Sequence, residues 1–381
     1  MADRRHSKTV RLIVVGLAVC LLVLASGMQS SRLRTMRRTV LQKHSSSYSA
    51  DVPPMVTFVS VSLGGFRGVL ADLLWLRVSR LQEEQRYVEL VQLSDWVTKL
   101  EPHLIEVWVF HAWNMSYNIS VMMRRREDRW RWVENGIKLL RDEGLPRNPR
   151  SPTMYRELGW IFQHKIGMAS DLAEKYYKFR LAGDIIPFLN ADGSAPLPDS
   201  TAAGVLHDKF GMDATEMLAI EKRLGRIDWR MPCAHSLYWG VLGLRATEGR
   251  GHEVTPCRRM IYSSLIEMAR GNGILVETSL EAESDFKTRP ATELVGVTVE
   301  FIEECMRESD FSGIRFAYIG FLRDAMHLKM QEHKVHEARG FHRKLVSFFE
   351  GKTTMRVPTF EETLNAENEL FLILMQSAGY H

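Results

Sequence analysis

From residue 66 to near its end the chain repeats apolar residues at three- and four-residue steps, the mark of a helix with one buried face. In 66–85 this step joins Leu70, Leu73, Leu74 and Leu81. In 87–101 it joins Leu90, Leu93, Val97 and Leu100, and Pro102 ends the pattern. The same period predicts helices over 104–123, 127–143, 152–166 and 169–185. It then predicts them over 201–224, 232–247, 256–271, 291–308, 313–332, 334–350 and 360–377. A stretch rich in Gly, Pro and Asp, 188–200, interrupts the series. Upstream, "MVTFVSVSLGGF" alternates in part and predicts a short strand before Gly64-Gly65. No ladder of strands goes with it, so the expected fold class is all-α.

A different pattern occupies the beginning. Leu12 to Met28, "LIVVGLAVCLLVLASGM", is an uncharged apolar run with basic residues on both sides. As a helix it spans about 26 Å, enough to cross a bilayer with slight thinning. Two readings stand: a retained transmembrane signal anchor, or a secretory signal cut near Ala25–Gly27. The run is long for a cleaved signal, which favours the anchor. Residues 1–11 then form a basic tail, and 29–54 a basic and Ser-rich linker closing on Pro53-Pro54.

Charge follows this division. The net charge is +4, yet residues 1–43 hold nine Lys/Arg against Asp3 alone, leaving −4 for the remainder. A mildly acidic body lacks the basic stripe that neutralises phosphates, so no nucleic-acid partner is expected. Basic residues 32–43 suit anionic headgroups. With positive charge on both flanks, the positive-inside rule gives no orientation. The short tail ahead of a large body favours N-in, C-out.

Helices recurring in pairs prompt a search for repeats. One pair reads Tyr155-x2-Leu158-Gly159-x2-Phe162, then Ala173-x3-Tyr177, then Pro187. It resembles the tetratricopeptide (TPR) pattern, with two extra residues between the helices. Weaker copies join Leu74, Val78, Leu90 and Val97, and also Trp108 and Ala112 with Gly136 and Leu140. Others join Leu237 and Tyr238 with 256–271, and Phe316, Ile319 and Gly320 with Ala338 and Leu345. The whole resembles membrane-anchored TPR-like proteins of bacteria. That resemblance implies a right-handed α-solenoid with a TPR-like half at 55–187, an inserted junction at 188–229 and a second half at 230–381. It also implies an inner-membrane, single-pass protein with its soluble part on the outer, periplasmic side.

In TPR proteins the first helix of each pair lines a concave groove. By that resemblance the ninth positions are Trp113, Trp160, Trp239 and Phe321, and the fifth include Trp75, Arg156 and His235. These seven are the expected binding residues, for an unidentified protein partner held at the membrane surface. A glycan or lipid-linked sugar stacked on the same aromatics is a rival reading. An enzyme using Asp72 with His111 or His235 is another.

The densest stretch is 227–240, "IDWRMPCAHSLYWG". Pro232 suits the first turn of a helix, Asp228 suits backbone N–H groups nearby, and His235 shares a face with Trp239. A helix start is the favoured reading, since no second carboxylate or nucleophile stands at a telling spacing. Asp72, within "GFRGVLADLLW", is expected near an apolar face, where a carboxylate needs a partner such as Arg67 or His111. The run 122–132, "MMRRREDRWRW", reads as a solvated loop entering a helix capped by Asp128, with lipid headgroups as the alternative surface. His336-Glu337 begins an HExxH-like motif, but the second ligand position is Gly340. No phosphate loop, dinucleotide fingerprint or hydrolase elbow occurs, and no metal or cofactor is expected. Cys233, Cys257 and Cys305 are expected to be structural thiols.

Overall fold

Helix ends in this protein fall where their capping chemistry lies. Ser151 accepts the Met154 N–H through Oγ at 3.3 Å, and Pro152 fills the first helical position behind it. Asp213 caps another helix by accepting the Thr215 and Glu216 N–H groups. The computed structural model describes residues 67–169, 171–247, 254–277, 280–308, 312–365 and 368–380. The apolar run 12–28, the linker 29–54 and the expected strand at 55–66 lie outside these residues. Among the described residues no helix is long and apolar enough to cross a membrane.

The protein is all-α. The chain divides at Pro102 into two compact units. In the first, α1 (Arg67–Glu83) and α2 (Tyr87–Leu100) pack together. They bury Ala71, Val78 and Leu81 against Leu90, Val97 and Leu100. The buried stripe of α1 is thus rotated from the expected one, and Leu73 faces solvent. Asp72 is exposed as well, a correction to the expected buried carboxylate: water hydrates it, so it needs no buried partner. Trp75 is half-buried.

The second unit comprises α3 (105–122), α4 (126–147), α5 (152–166), α6 (Glu174–Ile185), α7 (201–210), α8 (Ala214–Leu224), α9 (Pro232–Arg245) and α10 (255–272), followed by α11 (Val295–Glu308), α12 (Ser312–Gln331), α13 (Val335–Phe349), α14 (Phe360–Asn365) and α15 (Asn368–Ser377). The expected helix over 201–224 is broken in two. Gly211 takes φ +65°, its N–H and that of Met212 close the end of α7, and Asp213 starts α8. Two 2-residue strands, Ile274–Leu275 and Thr288–Arg289, pair antiparallel, which the helical period did not foretell. At the start of α4 no side chain caps the helix; Asp128 pairs with Arg131 at 3.3 Å instead, a correction to its expected role.

Small residues decide which helices touch. Gly136 of α4 lies so close to α3 that a Cβ there would sit 2.2 Å from Ser116 Oγ and 2.9 Å from the Ala112 carbonyl. This is the α3–α4 pairing expected from Ala112 and Gly136. Because the Ala112 carbonyl is backbone, Gly136→Ala is expected to push the helices apart and cost about 1–3 kcal/mol. A thermal melt matching the parent would show that the interface yields freely. Gly159, placed by the TPR pattern, serves a different contact. It faces Met260 Sδ and the Ser236 carbonyl, so α5 packs on α9 and α10 rather than chiefly on its sequence neighbour α6. Beyond that point α9, α10, α11, α12 and α13 pack in chain order.

Candidate functional site

Two helices of the second unit lie side by side, α3 and α5, with N-terminal halves together and C-terminal halves together. Each presents an aromatic pair at i, i+4: Trp113 with Tyr117, and Trp160 with His164. Both steps run into π-helical turns, 114–119 and 161–166, a wider coil that re-aims side chains and recurs at functional sites. The four rings form one continuous row. Trp113 stacks on Tyr117 with centroids 4.6 Å apart, Tyr117 lies 5.8 Å from His164, and His164 stacks on Trp160 at 4.9 Å. Trp113 keeps 37% of its surface exposed, and the other three are half-buried.

Buried charge holds the row in place. Glu157 is buried on α5, and its carboxylate accepts the Trp113 indole N–H at 2.9 Å and an N–H of Arg156. With both oxygens engaged, the carboxylate is satisfied and Trp113 is locked in one orientation. Further along α5, buried Lys165 sits 5.4 Å from the Tyr117 ring and donates to Asp171 Oδ2 at 2.6 Å. Asp171 also accepts the Tyr177 hydroxyl at 2.8 Å and the Ala173 N–H at 2.6 Å. Burial alone would raise the Asp171 carboxyl, but these donors outweigh it and hold it below the usual range. Burial lowers Lys165, which Asp171 opposes. Burial, then the Lys165 charge, lowers His164, so the imidazole in the stack is neutral at pH 7. Burial raises the Tyr117 phenol. At the N-terminal ends of α3 and α5 a cavity of about 350 Å³ opens beside Ile105, Arg150, Thr153 and Arg156.

Of the seven expected binding residues, Trp113, Arg156 and Trp160 converge here. His235, Trp239 and Phe321 do not: all three are buried, a correction with a clear cause. Helix α9 is covered by α5 and α10, and every residue from Pro232 to Gly240 is buried. Trp239 packs beside Tyr155, and His235 stacks on Phe162 at 4.8 Å. Buried His111 likewise belongs to the interior of α3. Sequence reasoning missed Tyr117, Glu157 and His164. The available signal was the four-residue step from each tryptophan. It also lay in α9 itself, which carries no formal charge before Arg245, the composition of a helix buried all round.

The stretch 227–240 proves to be a buried joint. Arg230 clasps Asp228 through two N–H groups at 2.8 and 2.7 Å and donates to the carbonyls of Leu275 and Glu277. Asp228 in turn accepts the N–H groups of Arg230 and Leu275. Gly193, at φ +83°, comes so near that a Cβ would lie 2.3 Å from Asp228 Oδ1. Cys233, Cys257 and Cys305 are buried thiols, and Cys233 donates to the Asn272 carbonyl at 2.9 Å. His342 meets the Pro358 carbonyl at 2.9 Å, and among the described residues no three His, Cys, Asp or Glu gather as a metal site would need. Comparison with models of known families, with curated proteins and with solved structures returned no match.

Proposed function

We propose that the protein is a membrane-tethered helical scaffold that holds a segment of a protein partner on the α3–α5 face. The observation that carries this reading is the partly exposed row Trp113–Tyr117–His164–Trp160, pinned in advance by buried Glu157. Interfaces concentrate their energy in aromatic and arginine anchors, and rigid anchors lose little freedom on binding. Arg156 at the edge of the row adds a fixed guanidinium for a carboxylate or carbonyl of the partner. In this reading α3 and α5 are first helices of successive TPR-like pairs in a right-handed solenoid, and Leu12–Met28 tethers it.

Photo-crosslinking in native membranes tests it, with the crosslinker replacing exposed Thr153, beside Arg156, and a control at exposed Asp208. A discrete protein adduct at 153 alone is expected, lost with Trp113→Ala or Trp160→Ala. Each substitution is expected to weaken binding by at least about 30-fold; the fold loses about 1 kcal/mol of aromatic pairing in either variant, and with Trp113→Ala also the indole donor of buried Glu157. Collapse of the thermal melt in both variants would make the row a packing element. Capture of a glycan in place of a protein would transfer the site to the envelope-sugar reading.

A further inference from the structure

We propose that the end of the second unit formed by the C-termini of α3 and α5 is a contact surface for anionic phospholipid. Four aliphatic side chains protrude there: Val121, Met122, Met168 and Leu172, the last 96% exposed. Around them the segment 121–131 carries five arginines against Glu127 and Asp128. Arg124 and Arg125 are exposed, Lys175 is exposed nearby, and Arg124 forms no ion pair among the described residues. Arg125 and Arg126 share Glu127, and Arg126 also reaches Glu283.

The tip is rigidly built. Arg129 donates to the Met123 carbonyl at 2.8 Å and lies 3.6 Å from Asp171, joining the two chain segments. Asp171, itself gripped by Lys165, Tyr177 and the Ala173 N–H, immediately precedes Leu172. A leucine held outward beside such an anchor does not fold back onto the core. Protruding aliphatic prongs in a basic collar match a headgroup layer, where apolar groups enter the acyl boundary and arginines meet phosphates. The protruding side chains are aliphatic, whereas a peptide site draws on aromatic anchors. None of them belongs to the aromatic row, so this surface stands or falls apart from the scaffold reading.

The test uses full-length protein carrying Cys20→Ser and Leu172→Cys, labelled with an environment-sensitive fluorophore; the three remaining cysteines are buried. The protein is reconstituted in vesicles of phosphatidylcholine alone, or with one part phosphatidylglycerol to two parts phosphatidylcholine. A label at Asp208 serves as the aqueous control. In anionic vesicles the label at 172 is expected to shift to the blue and to be quenched by nitroxide lipids, with little change in phosphatidylcholine. Arg124→Gln with Arg125→Gln is expected to lower the docked-to-free ratio about 25-fold, at about fivefold per basic residue. Both arginines are on the surface, and circular dichroism confirms the fold of the variant. A label that stays aqueous in both vesicles overturns the proposal. So does quenching that ignores lipid charge and both arginines, or a blue shift seen only in membranes that contain other proteins.

Discussion

Arg230→Ala is expected to be among the most destabilising single substitutions in the chain, by about 3–5 kcal/mol. The guanidinium and its partner Asp228 are both almost completely buried, and the pair is linked by two short hydrogen bonds. Removing the arginine leaves a buried carboxylate supported only by backbone N–H groups. It also strips the Leu275 and Glu277 carbonyls of their donor, so of the ties between the short strand pair and the 227–231 segment only the Leu275 N–H on Asp228 remains. For a unit of this size the loss corresponds to a fall in Tm of roughly 10 °C. Replacing both residues by apolar ones of similar volume is expected to recover part of the loss, since the charge is then gone as well. A melt of Arg230→Ala within about 2 °C of the parent would show that water enters the joint and hydrates Asp228.

The second large effect is acid lability centred on His235. Its Nε2 lies 3.0 Å from the Trp229 carbonyl, which only accepts, so the neutral ring carries its proton on Nε2. Burial pushes the imidazole down to about 4, with the Trp229 carbonyl opposing and Arg141 reinforcing the shift. An unfolded histidine titrates near 6.5. Between those values the unfolded chain binds a proton that the folded chain refuses, so stability is full above about 6.5 and falls as pH drops toward 4. The whole shift is worth roughly 3 kcal/mol. Denaturant melts from neutral pH to about 4.5 measure it, and His235→Gln is expected to flatten the slope by that amount. Parallel pH profiles for parent and variant would show that His235 titrates normally and that other groups govern the acid response.

Much of the helix plan was legible because period and punctuation agree. Helices α2, α3, α5, α12 and α13 begin and end within a residue or so of the expected positions. The breaks that were missed depend on backbone conformation: Gly211 splits one expected helix only because its φ is positive there. The strand pair was missed because two residues are too short to show alternation. The site was half legible. Helical spacing placed Trp113 and Trp160 at equivalent points, and they do share one face. The same register gave His235, Trp239 and Phe321, because a repeat pattern marks position along a helix and says nothing of how many neighbours surround it.

The sequence by itself determined that the body of the chain is helical and roughly where each helix stops, since these follow from local periodicity, proline, glycine and capping side chains. It also set the contrast between a basic, apolar beginning and a mildly acidic body. Only the tertiary structure decided that Gly159 serves the contact of α5 with α9 and α10, that α9 is enclosed, and that Glu157 locks Trp113. Those outcomes depend on which faces meet across tens of residues, and contacts at that separation leave no periodic trace in the chain.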